Sequence, residues 1–217
     1  MNTTRFFYFT VLIAVVTIAA GVTAVPAARA VASTEGKKGL LAMGSQAPDF
    51  ALPDVVTGKI VRRDDFKDQT AFLVVILCRH CPYVKHIRKN LVSFAKDYAG
   101  KRLAIVGISS NDPGAYPEDS PESLKQMAVS EGFTFPVLFD GTQEVAKAYT
   151  AVATPDFFLF DKDRKLVYRG QYDDARPGNR VPVTGKDVRA AVDAVLAGKP
   201  VSADQKHAVG CSIKWKK

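Results

Sequence analysis

The sequence predicts an α/β fold: a central mixed β-sheet flanked by helices on both faces, with a β-hairpin extension at its N-terminal side. Three observations predict it. Continuous apolar runs rich in β-branched residues, at 71–77 and 103–108, read as strands buried on both faces. After the first run, from Pro82, the apolar spacing lengthens to three and four residues, the period of an amphipathic helix. Two short apolar segments then flank Asp161-Lys162-Asp163-Arg164, which reads as a second hairpin. Alternating strands and helices followed by a hairpin bring parallel and antiparallel pairs into one sheet.

The elements follow in chain order. Residues 1–5 carry one positive charge, residues 6–20 are almost wholly apolar, and residues 24–32 are rich in small side chains around Ala28-Arg29-Ala30. That is the order of a secretory signal. The apolar stretch 6–25 is also about 20 residues long, enough for an uncleaved anchor. We therefore expect a signal peptide or anchor at 1–30, a linker at 31–43, one domain at 44–198 and a tail at 199–217. The domain is expected to be exported, periplasmic or extracytoplasmic, and to touch a membrane only if the first segment stays attached.

Residues 50–52 and 59–62 form the expected first hairpin around Thr57-Gly58. Val84, Ile87, Leu91, Phe94, Ala95 and Tyr98 mark a helix from Pro82, closed by Gly100. Further helices are expected from Pro121 to about Glu131, from about Gln143 to Tyr149, and over 186–196. Strands are expected at 135–139, 157–160 and 166–169.

Composition narrows the function. Of 217 residues, 47% are hydrophobic and 24% charged, an ordinary globular balance. The net charge of +8 is spread along the chain, and aromatics sit in apolar runs. A solvated basic surface is expected, with no nucleic-acid partner. Three cysteines in an exported chain make no disulfide scaffold, and their odd number leaves a thiol that reacts or pairs conditionally.

Leu77-Cys78-Arg79-His80-Cys81-Pro82 carries the chemistry. Two residues between the cysteines bring both sulfurs within bonding distance at a strand-to-helix junction. Unpaired N–H groups and the positive helix end favour a thiolate there. Arg79 and His80 add cations beside Cys78, as tuners of its thiolate. We expect Cys78, with a lowered pKa, to attack and Cys81 to resolve, in a relatively oxidising couple. A zinc site would need four N or S ligands, and no second Cys-x-x-Cys is present, so no metal is expected. The redox-active disulfide itself is the only expected cofactor.

Val152-Ala153-Thr154-Pro155-Asp156 places a proline directly before a strand, which fits an edge or a cis bond. Together with the Cys-x-x-Cys and the opening Ala47-Pro48-Asp49-Phe50, this stretch makes residues from about 44 to 197 resemble the thioredoxin-like superfamily, in its redoxin (AhpC/TSA) branch. The resemblance implies a cis Pro155 beside Cys78, and a Thr154 backbone that pairs with a bound substrate chain. It implies thiol- or disulfide-containing protein substrates and a redox partner.

Two other activities were weighed. Peroxiredoxins of the same branch carry Pro-x-x-x-Thr-x-x-Cys; the matching positions here hold Ala71 and Val75, which cannot bind peroxide. Exported copper-binding assembly factors have a cysteine motif one residue longer and a distant histidine, and His207 lies beyond the region where it is expected. A disulfide-exchange enzyme is the preferred reading. Beyond the last helix, Gly210-Cys211 and Trp215 are expected to pack a tail through Ile213 and Trp215. Cys211 is a candidate auxiliary thiol that exchanges with Cys78 or Cys81.

Overall fold

The structure is a computed structural model that describes Met1 and residues 39–217. The export segment expected at 1–30 lies outside the described residues apart from Met1, as does the first part of the linker. Among the described residues, no helix is long and apolar enough to cross a membrane.

The first hairpin forms as expected, from β1 (Ala51–Pro53) and β2 (Ile60–Arg62). Its turn is tied by the buried Asp54 carboxylate, which accepts from the Thr57 hydroxyl at 2.6 Å and the Thr57 N–H at 3.2 Å. Gly58 sits at φ +72, a conformation that costs a residue with a Cβ more than it costs glycine. The Val55 N–H then donates to Val137 O at 2.9 Å. The hairpin thus covers a sheet edge that would otherwise present open backbone groups.

The main sheet holds β3 (Ala71–Ile76), β4 (Leu103–Ser109), β5 (Val137–Phe139), β6 (Asp156–Phe160) and β7 (Leu166–Gly170), in the order β5-β4-β3-β6-β7. The first three run parallel; β6 is antiparallel to β3, and β7 to β6. Every residue of β3 is buried, as a central strand requires. Leu73, Val75 and Leu77 enter one core with α1 (Pro82–Asp97), α2 (Pro121–Glu131) and α4 (Lys186–Leu196). Phe72, Val74 and Ile76 enter the other, with α3 (Glu144–Ala148) and the hairpin residue Leu52.

Helix α1 buries Val84, Ile87, Leu91 and Phe94 along one stripe. Pro82 suits its first position, because the N–H it lacks would have no helical partner there. Truncating Leu91 to alanine would cost about 2–5 kcal/mol through lost burial and a cavity. Ser120 caps α2, its hydroxyl accepting from the Ser123 N–H at 3.2 Å. The result is the thioredoxin-like mixed sheet that the sequence implies.

Residues 199–217 are seated on this frame. The Arg169 N–H donates to Gln205 Oε1 at 3.0 Å, and the Gln171 N–H to Lys206 O at 3.1 Å. Farther on, Ile213 is buried in the second core, while Lys214 donates its N–H to Asn111 Oδ1 at 2.8 Å and accepts from the Asp112 N–H at 2.9 Å. The expected packing is corrected at one residue. Trp215 is 43% exposed, because these backbone bonds fix the tail with Ile213 inward and Trp215 outward.

Candidate active site

Strand register puts the two expected site segments together. Ile76 pairs with Asp156 across the antiparallel β3–β6 ladder. Two places farther, the same register sets Thr154 opposite Cys78. The Thr154–Pro155 peptide bond is cis, and Cys78 Sγ lies 3.4 Å from Thr154 Oγ1. Cys81 is the N-cap of α1, and its thiol meets Thr154 O at 3.1 Å. Cys78, Cys81 and Thr154 therefore form one cluster, with Pro155 beside it.

Both cysteines of the pair are fully buried. Their electrostatics correct the expectation for Cys78. Its thiol is raised above the ordinary range, first by its hydrogen bond with Cys81, then by burial and by the charge of Asp119. The Thr154 hydroxyl and the Cys81 backbone N–H oppose the rise without cancelling it. Cys81 is instead pushed down to about 4, chiefly by the hydrogen bond from Cys78, with help from Cys211 and from the Val84 N–H in the first turn of α1. The helix mouth does stabilise a thiolate. It does so at the second cysteine, which is the one that caps the helix.

The intervening pair is held by a residue that sequence reasoning missed. Asp119 is buried in the 3₁₀ turn Pro117–Asp119, after β4. Its Oδ1 accepts the Arg79 N–H at 2.8 Å and the His80 N–H at 3.1 Å, and its Oδ2 accepts Asn111 Nδ2 at 2.8 Å. The same carboxylate makes a short bond with His80 Nδ1. Tyr116 stacks on the His80 ring at 4.9 Å. His80 Nδ1 stands 3.8 Å from Cys78 Sγ, near the sulfur but committed to Asp119. The Arg79 guanidinium, expected beside Cys78, reaches Gln126 on α2 at 3.5 Å instead. An acid in a loop following the neighbouring parallel strand was the available signal, since such loops gather at the ends of parallel strands.

Cys78, His80 and Asp119 each offer one ligand atom, and the three atoms lie within 4.8 Å of one another. Among the described residues, this is the group that could hold a metal ion. His207 is exposed on the tail.

The third cysteine joins the pair. Thr154 and Cys211 form an antiparallel bridge, and Cys211 Sγ lies 2.9 Å from Cys81 Sγ. Burial, followed by the bond to Cys81, pushes the Cys211 thiol up to about 11. The backbone edge of Thr154, expected to receive a substrate chain, is occupied by this chain's own tail. Chemically, the cluster is three sulfurs sharing hydrogen bonds at a helix mouth, arranged for thiol–disulfide exchange.

Known proteins resemble this chain along the same stretch. An uncharacterized conserved protein from Geobacillus kaustophilus, known from its crystal structure, is 54% identical with a TM-score of 0.80; the match covers 82% of this chain and 94% of that one. The thiol-disulfide oxidoreductase ResA of Bacillus thuringiensis is 26% identical over 137 residues, 60% of this chain and 70% of the relative. The thioredoxin domain of a thiol-disulfide oxidoreductase from Bacteroides vulgatus shares the fold at 22% identity and a TM-score of 0.53, over 69% of this chain and 96% of that one. Residues 43–169 match the AhpC/TSA family, a span that takes in the hairpin, the cysteine pair, the cis-proline and most of the sheet. This chain belongs to the AhpC/TSA family.

Proposed function

We propose that the chain is a thiol–disulfide oxidoreductase that exchanges disulfides with protein substrates through Cys78 and Cys81. One observation carries the reading: both sulfurs of the pair touch Thr154, the residue of the cis bond, at the mouth of α1. The ResA name of the Bacillus thuringiensis relative agrees with it.

The shared proton gives the order of events. The hydrogen bond between the two sulfurs favours the charge on Cys81 and the proton on Cys78. As a substrate disulfide approaches, Cys81 accepts that proton and the Cys78 thiolate attacks the nearer substrate sulfur. The substrate S–S bond breaks, a Cys78–substrate bond forms, and the departing sulfur leaves as a thiolate. That thiolate takes the proton back from Cys81, which then attacks Cys78. The products are a Cys78–Cys81 disulfide, one substrate thiol and one substrate thiolate. Two enzyme sulfurs are oxidised and two substrate sulfurs reduced; the reverse sequence introduces a disulfide. His80 and Asp119 hold the loop between the two sulfurs and keep its geometry.

The order of charged, apolar and small residues at the N-terminus supports work outside the cytoplasm, where substrates carry disulfides. A peroxidase role is weaker, because Ala71 and Val75 offer no hydroxyl to a peroxide.

The test compares insulin disulfide reduction and peroxide consumption, for wild type and Cys78→Ser. Disulfide reduction that disappears in the variant is expected. Turnover of peroxide alone would reverse the ranking.

A further inference from the structure

We infer that Cys211 is a third redox residue of this chain, taking the disulfide from Cys78–Cys81 to form Cys81–Cys211 and returning Cys78 to the thiol. The inference rests on the proposed reading of Cys78 and Cys81 as the redox pair, and extends it.

Geometry supplies the first support. Cys211 Sγ stands 2.9 Å from Cys81 Sγ, and a disulfide bond of about 2.05 Å is reached by a shift of under about 1 Å. The approach is built from several sides. Both backbone hydrogen bonds of the Thr154–Cys211 bridge form, at 2.8 and 3.1 Å. A Cβ at Gly210 would collide with the Thr154 carbonyl, so the chain comes this close only with glycine there. On the far side Ile213 is buried, and Lys214 is bonded through its backbone to Asn111 and Asp112. Ser212, between Cys211 and Ile213, faces solvent. The alternation therefore turns Cys211 and Ile213 inward together, and aims the sulfur at Cys81.

The step balances without another reagent. The Cys211 sulfur attacks Cys81 in the Cys78–Cys81 disulfide. The Cys78–Cys81 bond breaks, the Cys81–Cys211 bond forms, and the electron pair leaves on Cys78, which takes the proton that Cys211 gives up. No electron is gained or lost overall. Burial first, and then Cys81 through its hydrogen bond and its charge, holds the Cys211 proton at rest. Once Cys81 is in a disulfide its share of that hold is gone; burial still opposes the Cys211 thiolate and Lys214 favours it.

The consequence is a chain with two oxidised forms. In Cys78–Cys81 the tail is held by hydrogen bonds and by the burial of Ile213, with no covalent tie. In Cys81–Cys211 it is covalently locked over Thr154, and Cys78 is left as a thiol beneath it.

The experiment uses the full chain equilibrated with mixtures of oxidised and reduced glutathione, quenched in acid, alkylated, digested and mapped by mass spectrometry. A Cys81–Cys211 linkage with alkylated Cys78, in protein of monomer mass, is expected as the more abundant oxidised form. Cys211→Ser should lose it completely and accumulate Cys78–Cys81. A map with Cys78–Cys81 alone and Cys211 alkylated at every mixture, or with Cys211 linking two chains, overturns the third-cysteine role and leaves the proposed function standing. A map with no linkage among the three overturns both.

Discussion

Thr154 exchanges both of its backbone hydrogen bonds with Cys211, so the residue that precedes Pro155 has no free peptide edge while the tail is seated. Gly210 makes that seat available. Gly210→Ala should unseat the strand and expose the cysteine pair. Two lost hydrogen bonds of about 1 kcal/mol each correspond to roughly tenfold or more in the open fraction. Alkylation of Cys78 in the reduced protein should quicken accordingly, and deletion of residues 209–217 should quicken it further. Equal rates in all three proteins would mean that the tail does not guard the site.

Asp119→Asn separates the two parts that this carboxylate plays. Its charge helps to hold the Cys78 proton, so the neutral variant should titrate Cys78 at a lower pH, read from thiolate absorbance. The amide would also turn a donor toward Asn111 or His80, where only an acceptor fits. A stability loss of about 1–3 kcal/mol in urea unfolding is expected. An unmoved titration would remove Asp119 from the electrostatics of the site.

The reduced protein should gain stability as the pH rises from about 4 toward 9. Cys81 falls from an ordinary 9.0 to about 4 on folding. Between those values the unfolded chain binds a proton that the folded chain does not, which makes unfolding costlier at higher pH. Unfolding free energies of wild type and Cys81→Ser, both reduced, should diverge from pH 5 to pH 8. A constant difference would place the thiolate elsewhere.

Behind the cis bond, Arg169 pairs with the buried Asp156 at 3.2 Å and also donates to Thr150 O at 2.7 Å. Burial raises the Asp156 pKa. Arg169→Met strands that carboxylate and should cost about 3–5 kcal/mol at neutral pH. The loss should shrink as the pH falls, because burial raises the Asp156 pKa and protonation removes the stranded charge. A loss independent of pH would point to packing alone.

Most of the frame was legible because periodicity reports burial. The expected helices 121–131 and 186–196 match α2 and α4, and the expected strand at 103–108 is β4 to within one residue. The boundary at Leu77 was less legible, since its side chain stays in the core after the strand has ended. Cys78 and Cys81 could be read from a short motif, and Thr154 and Pro155 were set beside them by the resemblance to the thioredoxin-like superfamily. Asp119 was harder to read: no local motif marks it, and its place follows from the parallel pairing of β3 and β4, which brings its loop to Arg79 and His80. The cation expected beside Cys78 was misplaced for a similar reason. Proximity along the chain assigned Arg79 to Cys78, whereas α2 draws the guanidinium away.

The tether between α4 and Cys211 has a further effect, on competition. A thiol carried on the same polypeptide meets its target at a local concentration fixed by geometry, in the millimolar range or above for short connections. Dilution leaves that value unchanged. Small soluble thiols would have to exceed it before they could outcompete Cys211 for Cys81. Larger partners that also compete for the Thr154 peptide edge face no such threshold, and the chain would thereby select protein clients over the low-molecular-weight thiol pool.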